Sequence, residues 1–118
     1  MEAVELKLND GDYMPDGQGG FRTVEGAEEV LQRALFQLTA KRGSFPFLPG
    51  LGSRLYLLPR EKPSARPAMA RRYAAEALAG EADLAVTGVE LSDRGDGRMD
   101  VKVLLDWKGQ ALEAAVTV

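Results

Sequence analysis

RMDVKVLLDW, residues 98–107, alternates apolar and polar side chains almost without a break. Met99, Val101, Val103 and Leu105 fall on one face; Asp100, Lys102, Leu104 and Asp106 fall on the other. A period of two is the mark of a half-buried strand. DLAVTGVELS (83–92) before it and ALEAAVTV (111–118) after it read the same way. The connections, Asp93-Arg94-Gly95-Asp96-Gly97 and Lys108-Gly109-Gln110, are rich in the residues that tight turns need. The last third of the chain is therefore expected to be a three-stranded antiparallel meander with one face buried.

A meander that buries one face needs a cover, and two segments upstream have helical periodicity. In GAEEVLQRALFQLTAK (26–41), Val30, Leu31, Ala34, Leu35 and Leu38 form an apolar stripe. Glu28 and Glu29 sit at its start and Lys41 and Arg42 at its end, as the helix dipole favours, and Gly43 is placed as its stop. AMARRYAAEALA (68–79) reads as a second helix, with Met69, Tyr73, Ala77 and Leu78 inward and Gly80 closing it. At the N-terminus, Val4, Leu6 and Leu8 alternate within 3–8, and Phe21, Thr23 and Val24 offer a return strand. The fold class is thus α+β: an N-terminal β-hairpin and two main helices packed on an antiparallel sheet with a C-terminal three-stranded meander. A length of 118 residues fits one domain, 1–118.

Between the helices lies AKRGSFPFLPGLGSRLYLLPR (40–60), too apolar for an ordinary loop. Pro46 and Pro49 forbid a regular helix across it. LGSRLYLL (51–58) has the character of one or two helical turns, with Ser53 as a cap. PREKPSARP (59–67) reads as an extended, exposed connector. Phe45, Phe47, Leu48, Leu51, Leu55, Tyr56, Leu57 and Leu58 either cap the small core or form a docking surface. Arginine and aromatic residues are the types enriched at interface hot spots.

The composition argues against catalysis. The chain has no cysteine and no histidine, so thiolate chemistry, thiolate zinc sites and every serine–histidine arrangement are excluded. An acidic calcium loop starting at Asp10 fails, because its sixth position is Pro15 where a glycine is required. We therefore expect no catalytic residue, no metal, no cofactor and no small-molecule substrate. No apolar run approaches the roughly 20 residues of a membrane span, and the acidic, alternating N-terminus is not a signal peptide. A soluble, intracellular product is expected.

The net charge of −3 is unevenly spread. Residues 41–72 hold eight basic side chains (Lys41, Arg42, Arg54, Arg60, Lys62, Arg66, Arg71, Arg72) against Glu61 alone, roughly +7, which leaves roughly −10 elsewhere. That split gives a second functional reading: a nucleic-acid or acidic-ligand module using 41–72, with binding that falls steeply as salt rises. The acidic chain as a whole disfavours nucleic acid.

The central stretch also resembles a known family. An R-G-x-x-P-x-x-P-x-x-G-S-x-L signature is carried by Arg42, Gly43, Pro46, Pro49, Gly52, Ser53 and Leu55, after a helix ending Leu35–Leu38 and Thr39. With Tyr73-Ala-Ala-Glu-Ala-Leu78 downstream and DG…DGQGGF upstream, it resembles the baseplate wedge proteins of contractile phage tails. These are small tail-lysozyme-like proteins, named for an activity that their fold does not imply. The resemblance implies a structural subunit that joins other tail and baseplate proteins, is made in the bacterial cytoplasm and resides in the virion. In that family a Glu, a Pro and an Arg in this loop help to join wedge components. Pro46 or Pro49 matches the proline, and Arg42 or Arg54 the arginine, but Ser44 stands where the glutamate is usual. The candidate partner-binding residues are Arg42, Phe45, Pro46, Phe47, Pro49, Leu51 and Arg54. A carboxylate-driven glycosidase would need two carboxylates in one cleft, and the loop region offers only Glu61.

Overall fold

The computed structural model describes Leu6–Lys7 and residues 26–118. The elements run β1 (Leu6–Lys7), α1 (Ala27–Thr39), a 3-10 helix (Leu55–Arg60), a short 3-10 turn (Pro63–Ala65), α2 (Arg66–Ala77), β2 (Leu84–Asp93), β3 (Met99–Trp107) and β4 (Gln110–Thr117). The sheet order is β1-β4-β3-β2, antiparallel at every pairing. The architecture is α+β, as the pattern predicts.

The alternation in β3 is realised residue by residue. Met99, Val101, Val103, Leu105 and Trp107 are buried, and Asp100, Lys102, Leu104 and Asp106 lie on the outer face. β4 contributes Leu112, Ala114 and Val116 to the same inner face. β2 does so only by means of a bulge. Its register slips between Val86 and Gly88, so Leu84 and Val86 point inward before it and Val89 and Leu91 after it. One extra residue reverses the parity, and without it half of the strand would turn its apolar side to solvent. The β3–β4 connection is a two-residue turn, with Lys108 at φ 53° and Gly109 at φ 85° between the paired Trp107 and Gln110. These positive φ values match the right-handed twist of the hairpin.

Both helices lie on the inner face, α1 over β4 and α2 over β2, and share one hydrophobic cluster with the sheet. The α1 stripe of Val30, Leu31, Ala34, Leu35 and Leu38 is buried as expected. Each fully buried leucine contributes about 1.5–3 kcal/mol relative to exposure. On α2, Ala70, Ala74 and Ala77 join Tyr73 in the core, their small size letting the helix approach the sheet closely. At the start of α1 the Gly26 N–H donates to Glu29 Oε1 at 2.9 Å, which satisfies one backbone donor of that end.

Three expectations are corrected, and a fourth is described only in part. α1 stops at Thr39, so Lys41 and Arg42 are not in its last turn and Gly43 is not its stop. The Ala40 N–H closes the helix on the Phe36 carbonyl; the chain then turns extended and Lys41 pairs with Ser53. The backbone bonds offered by Ser53 outweigh another helical turn. The Pro-rich stretch 59–67 is not an extended connector: it holds the end of one 3-10 helix, the next turn and the first residues of α2. Proline's fixed φ suits the first turn of a helix, and Pro63 and Pro67 both stand there. The Arg66 guanidinium then ties this segment down, donating to the carbonyls of Pro59 at 2.9 Å and Glu61 at 3.1 Å. α2 ends at Ala77, with Leu78 as its cap and Gly80 beyond it. Of the N-terminal hairpin, Leu6 and Lys7 pair with Ala114 and Glu113 of β4, and the proposed return strand at Phe21–Val24 lies outside the described residues.

The Tyr73 hydroxyl joins α2 to the segment before it, donating to Glu61 Oε2 at 2.6 Å. This bond, then burial, then the Glu61 charge hold the Tyr73 pKa above its ordinary value, while Arg54 and Arg72 pull the other way. The folded-state value is the raised one, so this stabilisation is complete below the unfolded tyrosine pKa of about 10. It is lost as pH rises through the folded value. Tyr73→Phe should therefore lower stability by about 1 kcal/mol at pH 7. In urea denaturation the gap between variant and parent should narrow at a pH well above 10; a gap independent of pH would show that the hydroxyl bond is not its source.

Candidate docking surface

The loop after α1 is closed at its base by a backbone clasp. The Ser53 N–H donates to the Ala40 carbonyl at 2.8 Å and the Arg42 N–H to the Ser53 carbonyl at 3.0 Å, forming a parallel bridge between Lys41 and Ser53. Ser53 is 1% exposed. Its hydroxyl donates to the Leu38 carbonyl at 2.6 Å and accepts from the Leu55 N–H at 3.3 Å. One side chain thus satisfies an unpaired carbonyl at the end of α1 and a donor at the start of the 3-10 helix. Arg54, not Ser53, occupies the cap position of the 3-10 helix, but the Ser53 hydroxyl one residue earlier still accepts from its first N–H and serves the preceding helix as well.

Gly52 makes the clasp possible. Its φ is +100°, and a Cβ there would lie 2.7 Å from the Ala40 carbonyl oxygen and 2.8 Å from the Arg42 nitrogen. The strands of the clasp therefore approach at a distance that only glycine permits. The Arg42 side chain is half-buried and donates to the Gly52 carbonyl at 3.2 Å, so it braces the loop from inside. Ser44 also serves the loop: its hydroxyl donates to the Lys41 carbonyl at 2.6 Å. Beyond the clasp two successive turns close, Leu48 N–H to the Phe45 carbonyl and Leu51 N–H to the Leu48 carbonyl, both at 3.0 Å.

This frame divides the apolar residues cleanly. Leu55 and Leu58 are fully buried and cap the core. Phe47 is 93% exposed and Leu48 57%, with Pro46 and Pro49 exposed beside them. Phe45 is half-buried and its ring lies 6.3 Å from that of Phe36, tilted by 48°. Leu51 is half-buried below the tip. Arg54 is exposed and pairs with Glu76 at 3.6 Å, a surface contact of little energetic weight. Tyr56 lies under the Lys41 ammonium, 5.3 Å from its ring centre.

Of the seven residues singled out, the structure brings Phe45, Pro46, Phe47, Pro49 and Leu51 to one projecting loop. Arg42 faces into the clasp and Arg54 points toward α2. Phe36, which sequence reasoning passed over, belongs with this surface at 53% exposure. It forms a ridge on the outer face of α1 between two open grooves. One, of about 470 Å³, is lined by Gln32, Leu35, Thr39, Ala40 and Phe45. The other, of about 530 Å³, is lined by Glu29, Gln32, Arg33, Gln37 and Leu51. The signal was present: Phe36 is the one large apolar residue of α1 that lies off the buried stripe.

No family model matches this chain, and no curated protein does. A solved structure does match: the 1.44 Å crystal structure of a Geobacter sulfurreducens protein described as a “putative tail lysozyme”. The TM-score is 0.62 at 17% identity, over 82% of this chain and 94% of that one. The two proteins share a fold.

The loop makes two opposite stability predictions, both readable by urea denaturation. Gly52→Ala should cost about 2 kcal/mol or more, because the methyl group collides with backbone that cannot move. Leu58→Ala should cost about 2–5 kcal/mol. Phe47→Ala should stay within about 0.5 kcal/mol of the parent; a loss matching that of Leu58→Ala would mean that the tip packs on the core.

Proposed function

We infer that this chain is a structural, non-enzymatic subunit of a contractile phage tail or tail-like particle, a baseplate component of the wedge type. The observation that carries the reading is the clasped loop, which holds Phe47 and Leu48 out in solvent on a rigid base. Contiguous exposed apolar side chains on an ordered frame are what a subunit interface requires. Pre-organisation by Gly52, Ser53 and Arg42 lowers the ordering cost of docking. The R-G-x-x-P-x-x-P-x-x-G-S-x-L resemblance points to the same loop and supplies the particle. The fold shared with a protein described as a tail lysozyme supports it.

In this reading assembly is the mechanism. Phe47, Leu48 and the Phe36–Phe45 pair enter a partner's apolar pocket, and Pro46 and Pro49 fix the path of the chain between them. Arg54 supplies a charge that sets register. The glutamate of the resembling family has no counterpart at Ser44, whose hydroxyl is engaged within the loop, so the joint relies on apolar contacts more than on an ion pair. The protein would be made in the bacterial cytoplasm and end in the virion tail.

Co-expression with the tail sheath, tube and baseplate proteins of the same genome tests this. A stable complex should form, and the pair Phe47→Ala with Leu48→Ala should weaken it about tenfold or more without unfolding the chain. A chain that stays free of all of them, or a complex indifferent to both substitutions, would count against the reading.

A further inference from the structure

The clasped loop carries both halves of a knob-and-hole contact. Phe47 and Leu48 project from its tip into solvent. Phe45, two residues earlier, forms one wall of the groove of about 470 Å³ beside Phe36, and Leu35, Thr39 and Ala40 form others. No residue that lines this groove is charged. The loop from Gly43 to Ser53 holds no charged residue either. The two arginines that bracket it are directed elsewhere, Arg42 to the Gly52 carbonyl and Arg54 to Glu76. Phe47 does not seat in the groove of its own chain, since 93% of it is exposed.

We propose that this surface pairs with a second copy of itself, the Phe47 tip of each chain seated in the Phe36 groove of the other. Knob and groove lie side by side on one braced frame, and a twofold axis between two such frames makes both contacts at once. An uncharged surface also meets its own copy without the like-charge repulsion that a charged patch brings upon itself. The same lack of charge gives a phosphate backbone or an acidic peptide nothing to hold. Burying Phe47, Leu48 and the exposed part of Phe36 on both chains, with the groove walls they cover, removes on the order of 1,000 Å² from water, the lower edge of a specific interface. The pair is therefore weak and reversible, with a Kd on the order of 10 μM. The pairing itself does not depend on the tail reading. Its consequence does: the paired surface is the one assigned to the tail partner, so each copy covers the other's loop until that partner displaces it.

Sedimentation equilibrium of the full chain alone, from about 1 to about 200 μM, tests the pairing. A monomer–dimer equilibrium is expected. Phe47→Asp on the knob and Phe36→Asp beside the groove should each weaken the dimer about tenfold or more. Both replace exposed side chains, and urea denaturation checks that the variants stay folded. Ser64→Asp adds the same charge at an exposed site in the Pro63–Ala65 turn and should leave the dimer nearly unchanged. The chain has no cysteine, so introduced thiols report contact directly. Phe47→Cys and Thr39→Cys chains, mixed under mild oxidation, should form the mixed disulfide in excess of either symmetric one. A chain that stays monomeric throughout the range would overturn the proposal and leave the tail reading standing, since co-expression tests that separately. Equal loss from Ser64→Asp would overturn it as an effect of net charge. A dimer indifferent to both phenylalanine variants would overturn it in favour of another face. Cross-links between Phe47→Cys chains alone would overturn it in favour of tips packed against each other.

Discussion

Three hydrogen bonds between the end of α1 and Ser53 determine how everything between the helices is arranged. The backbone bridge at Lys41 closes the loop, and the Ser53 hydroxyl terminates α1 while starting the 3-10 helix. From that point Leu55 and Leu58 are directed inward, where they complete the core beneath both helices. On the other side of the clasp Phe45 and Leu51 are half-buried, while Phe47 and Leu48 at the tip are exposed. Their exposure follows from chain connectivity and not from any preference of Phe47 or Leu48 for water. The clasp thus separates the residues of this segment that fill the core, Leu55 and Leu58, from those that stay exposed, Phe47 and Leu48.

Much of the fold was legible because its signals are local and periodic. The strands of the meander and the α1 stripe are read directly from alternation and from helical spacing, since each residue's burial depends on its immediate register. The misreadings share a cause. Lys41 and Arg42 look like the end of a helix, and only the distant Ser53, presented by a loop that returns to α1, draws them into a bridge. The proline-rich stretch looks extended until Arg66 reaches back to carbonyls five and seven residues away. The break in β2 at Thr87 and Gly88 is visible as a flaw in the alternation, but its purpose is clear only when both halves are seen facing one core. Non-local bonds decided each of these cases.

The candidate site was legible in composition and less so in detail. An apolar loop with two prolines announces a surface, and five of its seven named residues do project together. The two arginines do not share one role. Arg42 is consumed by the loop's own backbone, whereas Arg54 belongs electrostatically with α2 and the Tyr73–Glu61 bond. Sequence alone gives an arginine no direction, because its long side chain reaches whichever acceptor the fold brings near. Phe36 was missed for the opposite reason: on a helix with a well-formed buried stripe, a residue off the stripe is easily taken for ordinary surface.

The contact at Gly52 carries a consequence for how such a protein changes over generations. Because the loop's two ends meet at the clasp, and only Phe45 and Leu51 beside them are half-buried, residues 46–50 form an exposed tip. Lengthening a closed loop adds only a slowly growing entropic cost, about 0.6 kcal/mol for each doubling. The tip is thus free to drift, lengthen or be exchanged while the helices and sheet stay as they are, provided that Gly52 and Ser53 persist. The clasp thus uncouples the length and composition of the exposed tip from the packing of the core beneath it.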